Sequence, residues 1–158
     1  MCERKKKMPE MPLPTEKDFD PYGGDLDAQW AWKNFGGLTL DEATSKFRER
    51  PEIYQEDFMF MGGKAFAFYF PVVEAHLRDV PEENDGVDHE SWILAHCIKN
   101  QFEAKTAPHV LHLKHRVIAL STFVQRNIHR FGYDIGEQRR IADAWAELDT
   151  HLATLKQK

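Results

Sequence analysis

The sequence has little cysteine and no long apolar run. Its 158 residues include two cysteines, Cys2 and Cys97, too few for the disulfide framework of a small secreted protein. No stretch approaches the roughly 18 consecutive apolar residues that a membrane helix needs. The start, Met1 to Lys7, is basic but leads into prolines and not into an apolar signal core. We therefore expect a cytoplasmic protein that does not enter membranes.

Sequence signatures of catalysis are also absent. The chain contains no HExxH, no Cys-x-x-Cys, no Gly-x-Ser-x-Gly and no phosphate- or dinucleotide-binding glycine loop. Cys97 falls on the apolar face of a predicted helix, where a buried free thiol is the ordinary outcome. We predict a protein without catalytic residues, enzymatic activity or a cofactor.

The chain is rich in core-forming side chains. Hydrophobic residues make up 42% of it and charged residues 30%, with eleven Phe, four Trp and four Tyr. This balance is typical of a soluble globular domain. Prolines and a Gly-Gly pair interrupt residues 1–25, where we predict a flexible tail and an irregular lead-in. Residues 26–158 are predicted to form a single domain.

Helix signals recur along that domain. Thr39 and Glu42 match the capping box that begins many helices. Apolar residues at helical spacing run from Val110 to Phe131, which predicts one long helix that ends at a left-handed Gly132. The same spacing continues from Ile141 to Leu155, so the two helices should fold back on each other. The predicted fold is all-α, a single compact helical domain of about five to six helices with a C-terminal antiparallel helical hairpin.

One segment allows two assignments. Within residues 58–70, and continuing to Leu77, aromatic and aliphatic side chains such as Phe66, Tyr69 and Phe70 recur at helical spacing. This spacing favours a helix that is kinked at Pro71. The alternative is a short strand within 58–70, followed by a helix that begins at Pro71. Either way, the aromatic density places the segment in the core.

Charge is segregated in the second half of the chain. Between Thr106 and Tyr133 there is no Asp or Glu, and the segment holds four of the eight histidines. On one continuous helix its basic side chains would cluster opposite the apolar stripe: His112, His115, Arg116, Arg126, His129 and Arg130. Such a face can bind phosphates or an acidic partner. The alternative is a solvated face, or one matched to the acidic last helix.

Binding of a metal ion or of nucleic acid is a less favoured hypothesis for the same segment. His109, His112 and His115 fan over about 120° of a helix, so that only neighbouring pairs could share an ion. No carboxylate or cysteine ligand lies nearby in sequence, and we expect no functional metal. The net charge of −5 and the lack of a recognised DNA-binding motif disfavour nucleic acid.

Two tryptophans are candidate contacts for a protein partner. Trp30 and Trp32 lie two residues apart, and residues at that separation cannot share one helical face. If the segment is helical, one of the two side chains should be exposed. Exposed tryptophans are frequent hot spots of protein interfaces.

The aromatic block resembles a segment of a bacterial family. The run Phe58-Met59-Phe60-Met61-Gly62, followed by Ala65-Phe66-Ala67-Phe68-Tyr69-Phe70-Pro71, is similar to the Ala-Phe-x-x-Tyr-Leu/Phe-Pro stretch of small uncharacterised bacterial proteins, a domain of unknown function. The resemblance covers residues 26–80. It implies a bacterial protein with a binding role, since some members occur beside toxin or partner proteins. It transfers no catalytic residue and marks Phe66, Tyr69, Phe70 and Pro71 as a fold signature.

Three hypotheses follow for function. The first is a non-enzymatic, immunity- or adaptor-like module that binds a protein partner. The second is a helical domain that binds a metal or an anion, or an enzyme, with its site around the helix of His109, His112 and His115. The third is an oligomeric structural module, in which the C-terminal helices pair between chains.

Overall fold

The computed structural model describes residues 12–83, 91–103 and 105–155. Within these ranges every regular element is helical and none is a strand. The helices are α1 (Glu16–Phe19), α2 (Leu26–Phe35), α3 (Leu40–Glu49), α4 (Pro51–Tyr54), α5 (Asp57–Phe60), α6 (Gly63–Arg78), α7 (Ser91–Gln101), α8 (Ala107–Val110), a 3-10 turn (Leu111–Leu113), α9 (Lys114–Arg126), α10 (Ile128–Phe131) and α11 (Ile135–Thr154).

The all-α prediction is confirmed. Among the described helices, α2, α3, α6, α7, α9 and α11 have ten residues or more, in agreement with the predicted number. Their buried side chains form one continuous apolar cluster. None of these helices combines the length and the apolar character that crossing a membrane requires.

Part of the predicted lead-in is helical and packs on the core. Thr15 and Asp18 form a capping box that begins α1, and Phe19 at its end is fully buried. The Gly62 N–H donates to the Phe19 carbonyl at 2.8 Å, which ties α1 to the start of α6. A Cβ on Gly62 would lie 2.2 Å from the Asp18 carbonyl oxygen, so glycine permits this approach. Residues 1–11 of the predicted tail and lead-in over 1–25 lie outside the described residues.

Helix α2 has a capped start, and the predicted start of α3 is confirmed. The Asp25 carboxylate accepts from the N–H groups of Asp27 and Ala28 and caps α2. Thr39 and Glu42 form the predicted capping box at α3, which satisfies two N–H groups that lack partners within the helix. These caps fix the directions of the two helices that precede the aromatic block.

The ambiguous segment is helical. Residues 58–60 end α5, and α6 continues from Gly63 through Pro71 to Arg78, so that the alternative strand within 58–70 is wrong. The helix prevails because its spacing buries Phe66, Tyr69 and Phe70 on one face, all fully inaccessible to solvent. The gain from this burial outweighs the one backbone hydrogen bond that Pro71 removes.

The predicted long helix over 106–131 is wrong. The chain forms α8, the 3-10 turn, α9 and α10 in its place. Between α9 and α10, the Asn127 side-chain amide donates to the Phe123 carbonyl at 2.8 Å, and Asn127 has left helical geometry. A side chain that bonds its own backbone in this way competes with the helix. The apolar stripe was nevertheless identified correctly, since Val110, Val117 and Phe131 are fully buried.

Gly132 differs from its predicted role. Its backbone is extended, with φ −115° and ψ 132°, and not left-handed. A Cβ at this position would lie 2.7 Å from the Cγ of Gln138 and 2.9 Å from its backbone nitrogen. Gly132 thus ends the helix, as predicted, but glycine is required here for the close approach of α10 to α11 and not for a left-handed cap.

The C-terminal antiparallel hairpin is confirmed. Lys114, at the start of α9, donates to the Leu155 carbonyl beyond the end of α11 at 2.8 Å. At the other end, Gln138 in the first turns of α11 donates to the Gly132 carbonyl at 3.1 Å. Between these ends Trp145 is fully buried. Helix α11 also packs on α7, and α7 in turn packs on α5 and α6.

Candidate functional site

The three candidate metal ligands lie on three different elements. His109 belongs to α8, His112 to the 3-10 turn and His115 to α9, and all three are exposed. The single continuous helix that was predicted to carry all three histidines is therefore interrupted. Among residues 12–83, 91–103 and 105–155, no group of three or more His, Cys, Asp or Glu side chains could hold a metal ion.

The arginines of the basic segment contact α6 and the residues that follow it. Arg116 pairs with Glu74 of α6 at 2.6 Å and lies over the Phe70 ring, 5.2 Å from its centroid. Arg130 lies 3.8 Å from Glu82 and over the Phe123 ring at 5.7 Å. The acidic partner of Arg116 therefore lies on α6 and not on the acidic last helix. Arg126 is exposed.

The two tryptophans separate as predicted. Trp30 is 59% exposed, with the Lys33 ammonium 4.8 Å from its ring centroid. Trp32 is half-buried and packs edge-on against Phe19, with ring centroids 5.4 Å apart. Trp32 therefore joins α2 to α1, whereas Trp30 faces outward.

Trp30 belongs to a larger apolar surface that the sequence analysis missed. Tyr22 is 78% exposed and Leu26 is 79% exposed. Leu26 and Trp30 stand four residues apart on α2 and thus share a face, opposite the buried Ala28, Ala31 and Phe35. We call Tyr22, Leu26 and Trp30 the α2 patch. A helical projection of residues 26–35 would have shown its two helical members.

A cavity opens beside the α2 patch. It has a volume of about 350 Å³ and lies between α1 and α2, lined by Glu16, Lys17, residues 20–23 and Gln29. Two of its lining side chains are carboxylates, Glu16 and Asp20. Positive φ angles at Gly23 and Gly24, 73° and 80°, shape the turn that carries Tyr22 to its rim.

Asp20 is the buried polar group of this cavity. The residue is 6% exposed. Its Oδ2 accepts from Gln29 Nε2 at 2.8 Å and from the Asp25 N–H at 3.3 Å. No residue within the described ranges donates to its Oδ1. A fixed carboxylate with one remaining acceptor atom is suited to bind a donor or a cation.

The rim of the cavity already attracts a cation. The Lys105 ammonium lies 5.6 Å from the centroid of the Tyr22 ring. Residues 12–30 hold five carboxylates and one basic side chain, Lys17. With Lys33 over the Trp30 ring and Lys105 over the Tyr22 ring, acidic side chains still outnumber basic ones on this surface, five to three. Aromatic faces and carboxylates both favour positive charge. The α2 patch and the cavity thus form a surface that is apolar, aromatic and acidic.

Two buried ionisable groups lie away from this surface. Cys97 is free and buried, as predicted, and its thiol contacts the Gln55 carbonyl at 3.4 Å. Burial, with the charge of Glu56, raises the pKa of the Cys97 thiol to about 12, so it stays protonated and is a poor nucleophile at neutral pH.

Asp57 is the second of these groups. It is 8% exposed and accepts from Asn34 Nδ2 at 2.8 Å. Burial raises its pKa from 3.8 to about 6, although the bond from Asn34 and the charge of Lys46 act in the opposite direction. Lys46 in turn donates to the Asn34 carbonyl at 2.5 Å. This cluster joins α2, α3 and α5.

Comparison with known proteins yields no matching family model, no matching curated protein and no matching solved structure. The function is therefore argued from the surfaces of this chain.

Proposed function

We propose that the protein is a non-enzymatic module that binds another protein, and that the α2 patch contacts the partner. The observation that carries this proposal is the exposure of three large apolar side chains that are close in sequence, Tyr22, Leu26 and Trp30, of which Leu26 and Trp30 share one face of α2. Grouped exposed apolar residues mark interaction surfaces. Trp and Tyr are also the residue types that dominate binding energy at interfaces.

The rest of the patch fits such a role. Trp30 and Leu26 project from a regular, capped helix, so they lose little conformational freedom when a partner binds. The carboxylates around them supply the polar rim that interfaces place around an apolar centre. The immunity- or adaptor-like role in the bacterial cytoplasm, implied by the resemblance of residues 26–80 and by the composition, belongs to the same proposal.

The other two hypotheses find less support. The arginines of the proposed anion face, Arg116 and Arg130, are engaged with Glu74 and Glu82. The apolar stripe of α11 is buried within the chain, including Trp145, Leu148 and Leu152, and it offers no seam to a second copy.

Photo-crosslinking tests the proposal. A benzophenone amino acid is placed at position 30 of the full chain, and cells that naturally express the protein are irradiated. We expect one discrete covalent adduct, whose mass identifies a different protein. An adduct with a second copy of this chain would contradict the proposal. Excess wild-type chain should suppress the adduct, and the Trp30→Ala chain should not.

Position 53 supplies the matched control. Ile53 is 50% exposed on α4, so a crosslinker there has similar access but lies outside the α2 patch. If positions 30 and 53 give the same adducts, or if neither gives one, the proposal is wrong.

A further inference from the structure

We infer that the partner enters the cavity beside Asp20 with a lysine or arginine side chain from a basic segment of its surface. This inference rests on the proposed function and adds the chemistry of the partner. It joins two observations, the exposed α2 patch and the acidic cavity at its edge. Neither observation alone identifies an occupant.

The buried carboxylate carries the argument for a cation. Asp20 is held in place through its Oδ2 by Gln29 and the Asp25 N–H. The position of the carboxylate is thus fixed before any ligand arrives, so an incoming cation need not order it. An ammonium or guanidinium group that reaches the Oδ1 would form a charge-assisted hydrogen bond.

The surroundings favour a cation on a side chain over a free ion. The cavity is open to solvent and has about 350 Å³, with the Tyr22 ring at its rim. An aromatic face attracts the head group of Lys or Arg, as the Lys105 ammonium near Tyr22 shows. The apolar stem of a long basic side chain could at the same time lie against Tyr22 and Leu26.

Charge complementarity extends beyond the cavity. Asp25 and Asp27, at the start of α2, are exposed next to Leu26. A partner segment with several basic residues and an apolar anchor would match both the carboxylates and the α2 patch. Opposite charges of this kind speed association and select among partners.

The test uses the full chain, labelled with ¹⁵N, and two synthetic peptides. The first, Ac-Leu-Arg-Ala-Leu-Lys-Arg-NH₂, is basic. In the second, glutamate replaces every basic residue. We expect the basic peptide to shift the amide signals of Asp20, Tyr22 and Gln29, to saturate, and to bind more weakly in 0.5 M than in 0.05 M NaCl. The acidic peptide should leave these signals unchanged.

Charge variants locate the binding. Glu16→Gln should weaken binding of the basic peptide by about fivefold, as expected for the loss of an exposed ion pair. Asp20→Asn keeps a side-chain oxygen that can accept from Gln29, and it should weaken binding of the basic peptide by about tenfold or more. Lys17→Ala removes the one basic side chain lining the cavity and should strengthen binding. Asp41→Asn, an exposed carboxylate on α3, is the control and should change nothing.

The possible failures are distinguishable. If the crosslink at position 30 forms but Glu16→Gln, Asp20→Asn and Asp41→Asn bind the basic peptide equally, the protein is a binding module and the cavity inference is wrong. Equal binding of both peptides overturns it as well. If the crosslink also fails, the proposed function is wrong. Glu16 is exposed and its substitution leaves the core unchanged, so a folding defect in Asp20→Asn would not leave the inference untested.

Discussion

Tyr69→Phe tests the account of how the aromatic block organises the fold. Tyr69 is fully buried, and its hydroxyl donates to the carbonyls of Phe35 and Leu38 at 3.0 and 2.7 Å. These carbonyls lie where α2 ends and the connection to α3 begins. Burial raises the pKa of Tyr69 to about 12, so the hydroxyl stays protonated at neutral pH. The substitution removes that donor and keeps the ring.

The expected loss follows from the two carbonyls. The Phe35 carbonyl retains the bond from the Leu38 N–H at 3.1 Å, whereas the Leu38 carbonyl loses the shorter of the two bonds from the hydroxyl. A lost hydrogen bond and a buried carbonyl left with less bonding together cost about 2 kcal/mol. For a chain of this size the urea m-value is about 2 kcal/mol/M, and the unfolding midpoint should fall by about 1 M.

Urea unfolding followed by circular dichroism measures this change. The m-value should stay constant, since the native fold and the exposed area are retained. Tyr133→Phe is the matched control, because Tyr133 is 72% exposed and its substitution should cost less than about 0.5 kcal/mol. If Tyr69→Phe is as stable as the control, the hydroxyl does not hold the α2–α3 connection and the reasoning is wrong.

Three further predictions use the same measurement. Folding raises the pKa of Asp57 to about 6, so the wild-type free energy of unfolding should decrease by at most about 3 kcal/mol as the pH rises from about 4 to 6. Asp57→Asn should lack this decrease. Identical pH profiles of the two chains would contradict the raised pKa of Asp57. Trp145 is fully buried, and its indole N–H has no hydrogen-bond partner among the described residues. Trp145→Ala should therefore cost about 3–5 kcal/mol, and Trp145→Phe markedly less, because mainly packing is lost; equal costs would contradict this account. Arg126→Ala should change the free energy of unfolding by less than about 0.5 kcal/mol. Arg116→Ala should cost up to about 1 kcal/mol, because it removes the ion pair with Glu74 and the contact with Phe70. A larger loss for Arg126→Ala than for Arg116→Ala would show that the contacts of Arg116 contribute nothing to stability.

Local signals in the sequence predicted the helices and much of the core. The capping box of Thr39 and Glu42 depends on a few adjacent residues, and so does the apolar spacing of α6 and α11. Such patterns stay valid whatever the chain packs against. The sequence did not predict the break at Asn127, because the apolar stripe continues across it. The break accompanies a hydrogen bond from the Asn127 side chain to the Phe123 carbonyl, which apolar spacing does not reveal. Apolar periodicity indicates which face of the segment is buried, but it does not indicate whether the helix is continuous.

The candidate site was less predictable. The exposure of one tryptophan followed from spacing alone, and Trp30 is the exposed one. The basic segment, by contrast, drew attention because its charges are adjacent in sequence, and packing then placed Arg116 and Arg130 against α6 and the residues that follow it. The cavity exists because α1 packs beside α2. No local pattern in the proline-rich lead-in indicated that contact, so the cavity could not be predicted.

Caps and apolar periodicity act over one or two helical turns, so residues close in sequence were enough to predict an all-α protein, the start of α3 and the buried faces of α6 and α11. Tertiary structure alone decided what stays at the surface. Packing of α1 against α2 buried Asp20 and left Tyr22 and Leu26 exposed. The physical reason is that exposure and charge pairing depend on residues distant in sequence, such as Arg116 and Glu74, which meet only when the core forms.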